Sequence, residues 1–292
     1  MPFERRVHHH PTPLRRQRSL FHLALLLIGM LVSCAALAQP SPYAPGHVPE
    51  AGTWFGDVSA GWEQTRFDLR SIGVDVSGTS RFLLARAGLR HGLSDQWTLG
   101  AGATVAGQRR RNPDNPAERR SGLRSPAASI QWTANRAPSI RPWARAAVLF
   151  NPDNDSVTNR VTALGGVLIG AADDTHASLA LEVSYFDALS ARLDGAHVEL
   201  AHPFGDWLAT VGGGWAELEP YGDAQLRVGA TRFHSLEAGL SRRVGQQLWL
   251  GLDVRRQVAT AESTPFAAPL SLDTRSTDTV ILLSGRWAFS GR

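Results

Sequence analysis

The sequence has 292 residues, 43% hydrophobic and 19% charged, with one cysteine and a formal net charge of +4. One cysteine excludes an intrachain disulfide. The first 38 residues hold five arginines and one glutamate and so carry the whole excess; the balanced remainder gives no electrostatic ground for a nucleic-acid partner.

In chain order, Arg5, Arg6, Arg15, Arg16 and Arg18 form a basic start, residues 20–32 an apolar core, and Ala36-Leu37-Ala38 a small-residue end. That layout predicts a cleaved signal peptide over 1–38 and export by the secretory route. A membrane anchor is the competing reading, and Leu31-Val32-Ser33-Cys34 leaves lipidation at Cys34 open. Residues 39–51 contain four prolines and read as a periplasmic leader without fixed structure.

From residue 52 the pattern changes. Twelve segments alternate with a period of two: 53–66, 82–90, 97–105, 125–134, 142–150, 161–170, 178–186, 195–201, 207–216, 233–241, 248–257 and 279–289. In 97–105, Trp97, Leu99, Ala101, Ala103 and Val105 share one face, and Thr98, Gly100, Gly102 and Thr104 the other. An apolar face opposed by small and polar residues is the dyad of a membrane barrel.

The connections alternate in length. Turns at 91–96, 135–141, 171–177, 202–206 and 242–247 are short; 67–81, 108–124, 151–160, 187–194, 217–232 and 258–276 are longer and read as external loops. Residues 52–292 are therefore expected to form an all-β fold: a single transmembrane antiparallel up-and-down β-barrel of about twelve strands. Both termini would be periplasmic, in the outer membrane of a Gram-negative bacterium. Ten or fourteen strands stay open, because Ile72-Gly-Val-Asp-Val76 could extend a strand above the membrane.

Seven of nine tryptophans then fall at the periplasmic rim: Trp54, Trp97, Trp132, Trp143, Trp207, Trp249 and Trp287. Parity turns Trp143 and Trp249 inward and leaves the other five as an aromatic girdle.

The inward faces carry Glu63, Arg86, Arg90, Arg145, Glu182, His197, Glu199, Glu237, Asp253, Arg255 and Arg286. Charges of both signs in a lumen support two readings: a channel that selects solutes, or a core of paired charges that fills the bore. In 108–124, Arg109, Arg110, Arg111, Arg119, Arg120 and Arg124 would face lipopolysaccharide phosphates, or solvent.

Catalytic chemistry finds little purchase. His234 and Ser235 are neighbours on a strand and point to opposite faces, and His197 has no serine placed against it. His91, His176 and His202 are expected in turns. Asp153-Asn-Asp155 lacks the glycine and distal glutamate of an EF-hand. The expectation is no enzyme, no metal and no cofactor.

Gly92-Leu-Ser-Asp-Gln-Trp-Thr-Leu-Gly100 resembles a unit of the outer-membrane transporter barrels grouped with the meta-pathway of phenol degradation. Gly122-Leu-Arg-Ser-Pro-Ala-Ala-Ser-Ile-Gln-Trp132 is similar to their Gly-x-Gly-Asp-Pro-x-Leu segment, with Arg124 and Ser125 in place of Gly-Asp. The resemblance spans about residues 81–186. It implies an outer-membrane, porin-like transporter of small organic compounds, without catalytic residues. The partners expected are outer-membrane lipid and lipopolysaccharide, the barrel-assembly machinery during insertion, and a small solute. A non-conducting barrel with lipopolysaccharide-binding loops is the alternative, and a membrane lipid hydrolase a third.

Overall fold

The computed structural model describes residues 51–71, 74–112, 115–134, 140–150, 159–170, 175–187, 189–222, 226–244, 248–265 and 272–290. For 108–112, 115–125, 226–227, 262–265 and residues 71, 74, 272 and 290 it describes the backbone alone. The signal peptide, Cys34 and most of the leader lie outside these residues.

Every predicted alternating segment matches a strand, with 125–134, 142–150 and 161–170 each running one residue past its end. The strands are β1 (Thr53–Ser71), β2 (Val74–Gly92), β3 (Trp97–Asn112), β4 (Asn115–Thr133), β5 (Ile140–Leu149), β6 (Arg160–Ile169) and β7 (His176–Phe186). They continue with β8 (Ala191–Phe204), β9 (Trp207–Leu218), β10 (Tyr221–Gly222), β11 (Leu226–Val228), β12 (Thr231–Val244), β13 (Leu248–Pro265) and β14 (Leu272–Ser290). All pairings are antiparallel, and β1 pairs with β14 from Thr53↔Ser290 to Arg70↔Asp273, which closes the wall. Twelve strands form it. The short β10 and β11 continue the β9–β12 hairpin in unbroken register (Thr231↔Leu218, then Tyr221↔Val228). Pro220 sits at the break, where a missing N–H ends the ladder.

Closure brings backbones close. A side chain at Gly61 would collide with the Ile281 carbonyl oxygen on β14, so the seam tolerates only glycine there. At the rim that carries both wall ends (the lower rim), Gly205 holds a φ of +59° in the two-residue turn between Phe204 and Trp207. In the β2–β3 turn, the Leu93 N–H donates to the Trp97 carbonyl at 2.8 Å, and the Trp97 N–H to Ser94 Oγ at 3.2 Å.

The longer connections depart from expectation. Residues 67–81 and 108–124 are largely strand: β1 and β2 pair up to Ser71↔Val74, and β3 and β4 up to Asn112↔Asn115. The connections 217–232 and 258–276 also contain paired strand. Several strands at the short turns run further too, so His91 is the penultimate residue of β2, His176 begins β7 and His202 lies within β8.

The reason is an inversion of polarity. Along the outer face of β1, Val58, Ala60 and Trp62 give way to Gln64, Arg66, Asp68 and Arg70. Along its inner face, Asp57, Ser59, Gly61, Glu63 and Thr65 give way to Phe67 and Leu69. The same exchange occurs on β2, where outward Leu83 is followed toward the upper rim by Arg81 and inward Arg86 by Leu84 and Phe82. On β12 it runs from Leu236 to His234 and Arg232 outside, and from Glu237 to Phe233 inside. The alternation is continuous; only its sign changes. Below the exchange these strands are apolar outside and polar inside, as against lipid; above it they are polar outside and apolar inside, as against water, while β14 keeps Asp278, Ser276 and Thr274 on its inner face.

Two apolar clusters consequently line the upper inner wall. Phe67, Leu69, Phe82, Leu84, Ala106, Val280 and Leu282 pack on the β14–β3 side. Phe186, Leu193, Leu218, Tyr221, Val228 and Phe233 pack on the β7–β13 side.

Candidate functional site

Large apolar side chains stand exposed around the lower two-thirds of the outer wall, among them Leu83 (72%), Leu283 (67%) and Leu181 (61%). A belt of this extent meets hydrocarbon. Trp54, Trp97, Trp132, Trp207 and Trp287 lie on the outward face near its lower edge, and Trp54 stacks on His91 at 4.3 Å. Trp62 and Trp215, eight residues up β1 and β9, mark its upper side. Eight residues along tilted strands rise on the order of 20 Å, close to the apolar height of an outer-membrane barrel. Trp143 is buried inside, as its parity requires.

The lumen candidates all lie on the inner parity of their strands. Asp253 and Arg286 form its best-defined pair: Arg286 Nη2 donates to Asp253 Oδ2 at 2.9 Å, and Ser284 Oγ donates to the same oxygen at 2.9 Å. Arg286 Nη1 donates to Ser241 Oγ at 3.1 Å, so β12, β13 and β14 meet at one guanidinium. Glu182 accepts from Arg160 and, at 2.7 Å, from Ser184 Oγ; Arg160 also lies 5.0 Å above the Phe186 ring. Arg145 donates to Ser129 Oγ at 3.3 Å and lies within electrostatic reach of Asp57 on β1. Arg90 covers the Phe55 ring at 5.3 Å.

These groups form a mesh across the bore. Arg86 is within electrostatic reach of Arg255, Glu63 and Asp253. Glu199 is within reach of Glu237, Arg286 and Asp253, and His197 of Glu182 and Arg255. The mesh is tight at Glu63, only 1% exposed.

Asp57, Arg160 and Asp278 belong to this set and were not among the lumen candidates. Asp57 shares the inner parity of Glu63 within the first predicted segment. Arg160 and Asp278 stand one residue before the segments predicted to start at 161 and 279, on the inner parity of each, so extending those segments by one residue finds them. The side chains of Arg109, Arg110, Arg111, Arg119, Arg120 and Arg124 lie outside the described residues, as does Asp153-Asn-Asp155. His234 faces outward and Ser235 inward.

No protein-family model matches the chain, and no curated protein matches its sequence. Among solved structures, an outer-membrane channel from Pseudomonas putida F1 has the same fold, with a TM-score of 0.54 and 12% identity, over 86% of this chain and all of that one. The P. putida toluene transporter TodX (TM-score 0.39, 10% identity, 84% of this chain and 92% of that one) is a more distant likeness. So is the outer-membrane protease OmpT of Escherichia coli (0.37, 10%, 81% and 97%). Scores of that size carry no argument. What the first likeness shows is the architecture: a closed barrel of the outer-membrane type.

Proposed function

We propose that this chain is an outer-membrane conduit for small solutes, with its short turns and both wall ends in the periplasm and its taller rim outside. The observation that carries the reading is Glu237. Its side chain is 7% exposed, and neither carboxylate oxygen has a hydrogen-bond partner among the described residues. Arg255 is within electrostatic reach of it, and water entering the bore would supply the hydrogen bonds that a carboxylate kept from bulk solvent otherwise forgoes at a cost of several kcal/mol. A lumen built only to hold the wall together would do better with apolar side chains, because buried ion pairs add little stability over hydrophobic packing of the same volume. Charges of both signs along a hydrated, narrow path suit small neutral or zwitterionic solutes. The apolar clusters at and above the level of Glu63 would favour an uncharged organic molecule near the mouth.

The second reading, a non-conducting barrel, is favoured by the near-complete burial of Glu63, 1% exposed within the mesh. Liposome swelling separates the two. Vesicles carrying the refolded chain should swell in small sugars or amino acids and stay rigid in larger oligosaccharides. Swelling no faster than in protein-free vesicles would leave only the closed barrel.

A further inference from the structure

The outer wall above the apolar belt holds a groove of about 780 Å³ across β1, β14, β13 and β12. Five arginines line it: Arg66, Arg70, Arg232, Arg256 and Arg275. The described acids on it are Asp68 and Asp273. Arg232 pairs with Glu217 at 3.0 Å, and Arg66 makes a looser pair with Asp68 at 3.8 Å. Five arginines thus face two acids in the lining, with Glu217 and Asp75 (in register with Arg70) at its edges, which leaves a small excess of positive charge.

What lies below the groove matters as much. Trp62, Ile281, Val254 and Ala238 occupy one row of the wall, all facing outward and apolar. Three rows higher, the same four strands present Asp68, Arg275, Thr260 and Arg232. The groove thus begins where the hydrocarbon-facing surface ends. A lipid lying along the apolar rows would bring its headgroup into the arginines.

We propose that this groove docks the phosphorylated sugar headgroup of an outer-leaflet glycolipid, its acyl chains lying along the apolar rows beneath. Guanidinium forks match phosphate oxygens bidentately, and several forks on one wall suit a headgroup with more than one phosphate. The site is distinct from the arginines of 108–124. It rests on the orientation given above, since only the outer leaflet holds such a lipid.

The test is equilibrium binding of fluorescent lipid A, a diphosphorylated glucosamine disaccharide, to the full chain refolded in detergent. Arg256→Gln with Arg275→Gln should weaken binding by about tenfold or more, the loss of charge-assisted bonds to two phosphates. Arg256→Lys with Arg275→Lys should lose less. Heat-modifiable migration on a gel verifies that each variant is folded. Free pyrophosphate should compete poorly, because it lacks the acyl chains. Equal binding by wild type and the Gln pair would overturn the proposal, as would equal affinity for dephosphorylated lipid A or full competition by pyrophosphate. None of these readouts depends on conduction, so a barrel that binds lipid A and fails to swell liposomes sinks the conduit alone. Orientation has its own check: an impermeant maleimide should label Thr79→Cys on intact cells. Labelling only after permeabilisation would place the groove in the wrong leaflet and overturn the assignment.

Discussion

Replacing Leu181 with arginine is expected to destabilise the barrel by about 2–4 kcal/mol, the cost of a cation on the lipid face near mid-membrane. Leu181 lies at the centre of β7, between Ala196 and Gly165 on the neighbouring strands, and is 61% exposed. On a water-facing surface such a change would move stability by no more than about 0.5 kcal/mol. The size of the effect thus identifies the solvent. Denaturant unfolding in lipid vesicles, followed by tryptophan fluorescence, measures it. Thr79→Arg, outward on β2 but above the polarity exchange, should cost almost nothing in the same assay. Equal costs at the two positions would mean that the belt does not face hydrocarbon.

The second large effect lies inside. Asp253→Ala removes the carboxylate to which Arg286 and Ser284 donate and leaves a buried guanidinium with Ser241 as its hydrogen-bond acceptor and Glu199 within electrostatic reach. Breaking a buried pair from one side costs about 3–5 kcal/mol. Asp253 retains partial exposure to the lumen, so the lower end of that range is expected. Adding Arg286→Met should recover much of the loss, since removing both charges leaves no orphan. A single variant as stable as wild type would show that solvent in the bore already screens the pair fully.

The strands below the polarity exchange were legible from composition alone. Leu179, Leu181, Val183 and Tyr185 against Ala180, Glu182 and Ser184 give the register of β7 without any structure. Above the exchange the same rule fails for a physical reason. A search for strands that are apolar on a fixed face stops after Arg66 on β1 and at Arg81 on β2, where the outer solvent changes from lipid to water. The residues beyond, Asp68 and Arg70 among them, have the composition of a loop, and their strand character lies in the apolar Phe67 and Leu69 that alternate with them. The inner faces of the lower strands were read correctly for the same reason that Arg160 and Asp278 were missed: parity assigns the face, but ends are weakly marked. The arginine groove could not be read at all. Its residues come from four strands, and Arg66 and Arg256 become neighbours only when β1 and β14 close the barrel.

Single-channel recording in a planar bilayer tests the hydrated lumen most directly. The refolded chain should open small, stable conductance steps. Their cation-to-anion preference should shift toward anions when Glu237 is changed to Gln, because that removes a negative group beside the path. A barrel that inserts and migrates as folded, yet adds no conductance to the bare membrane, would contradict the conduit.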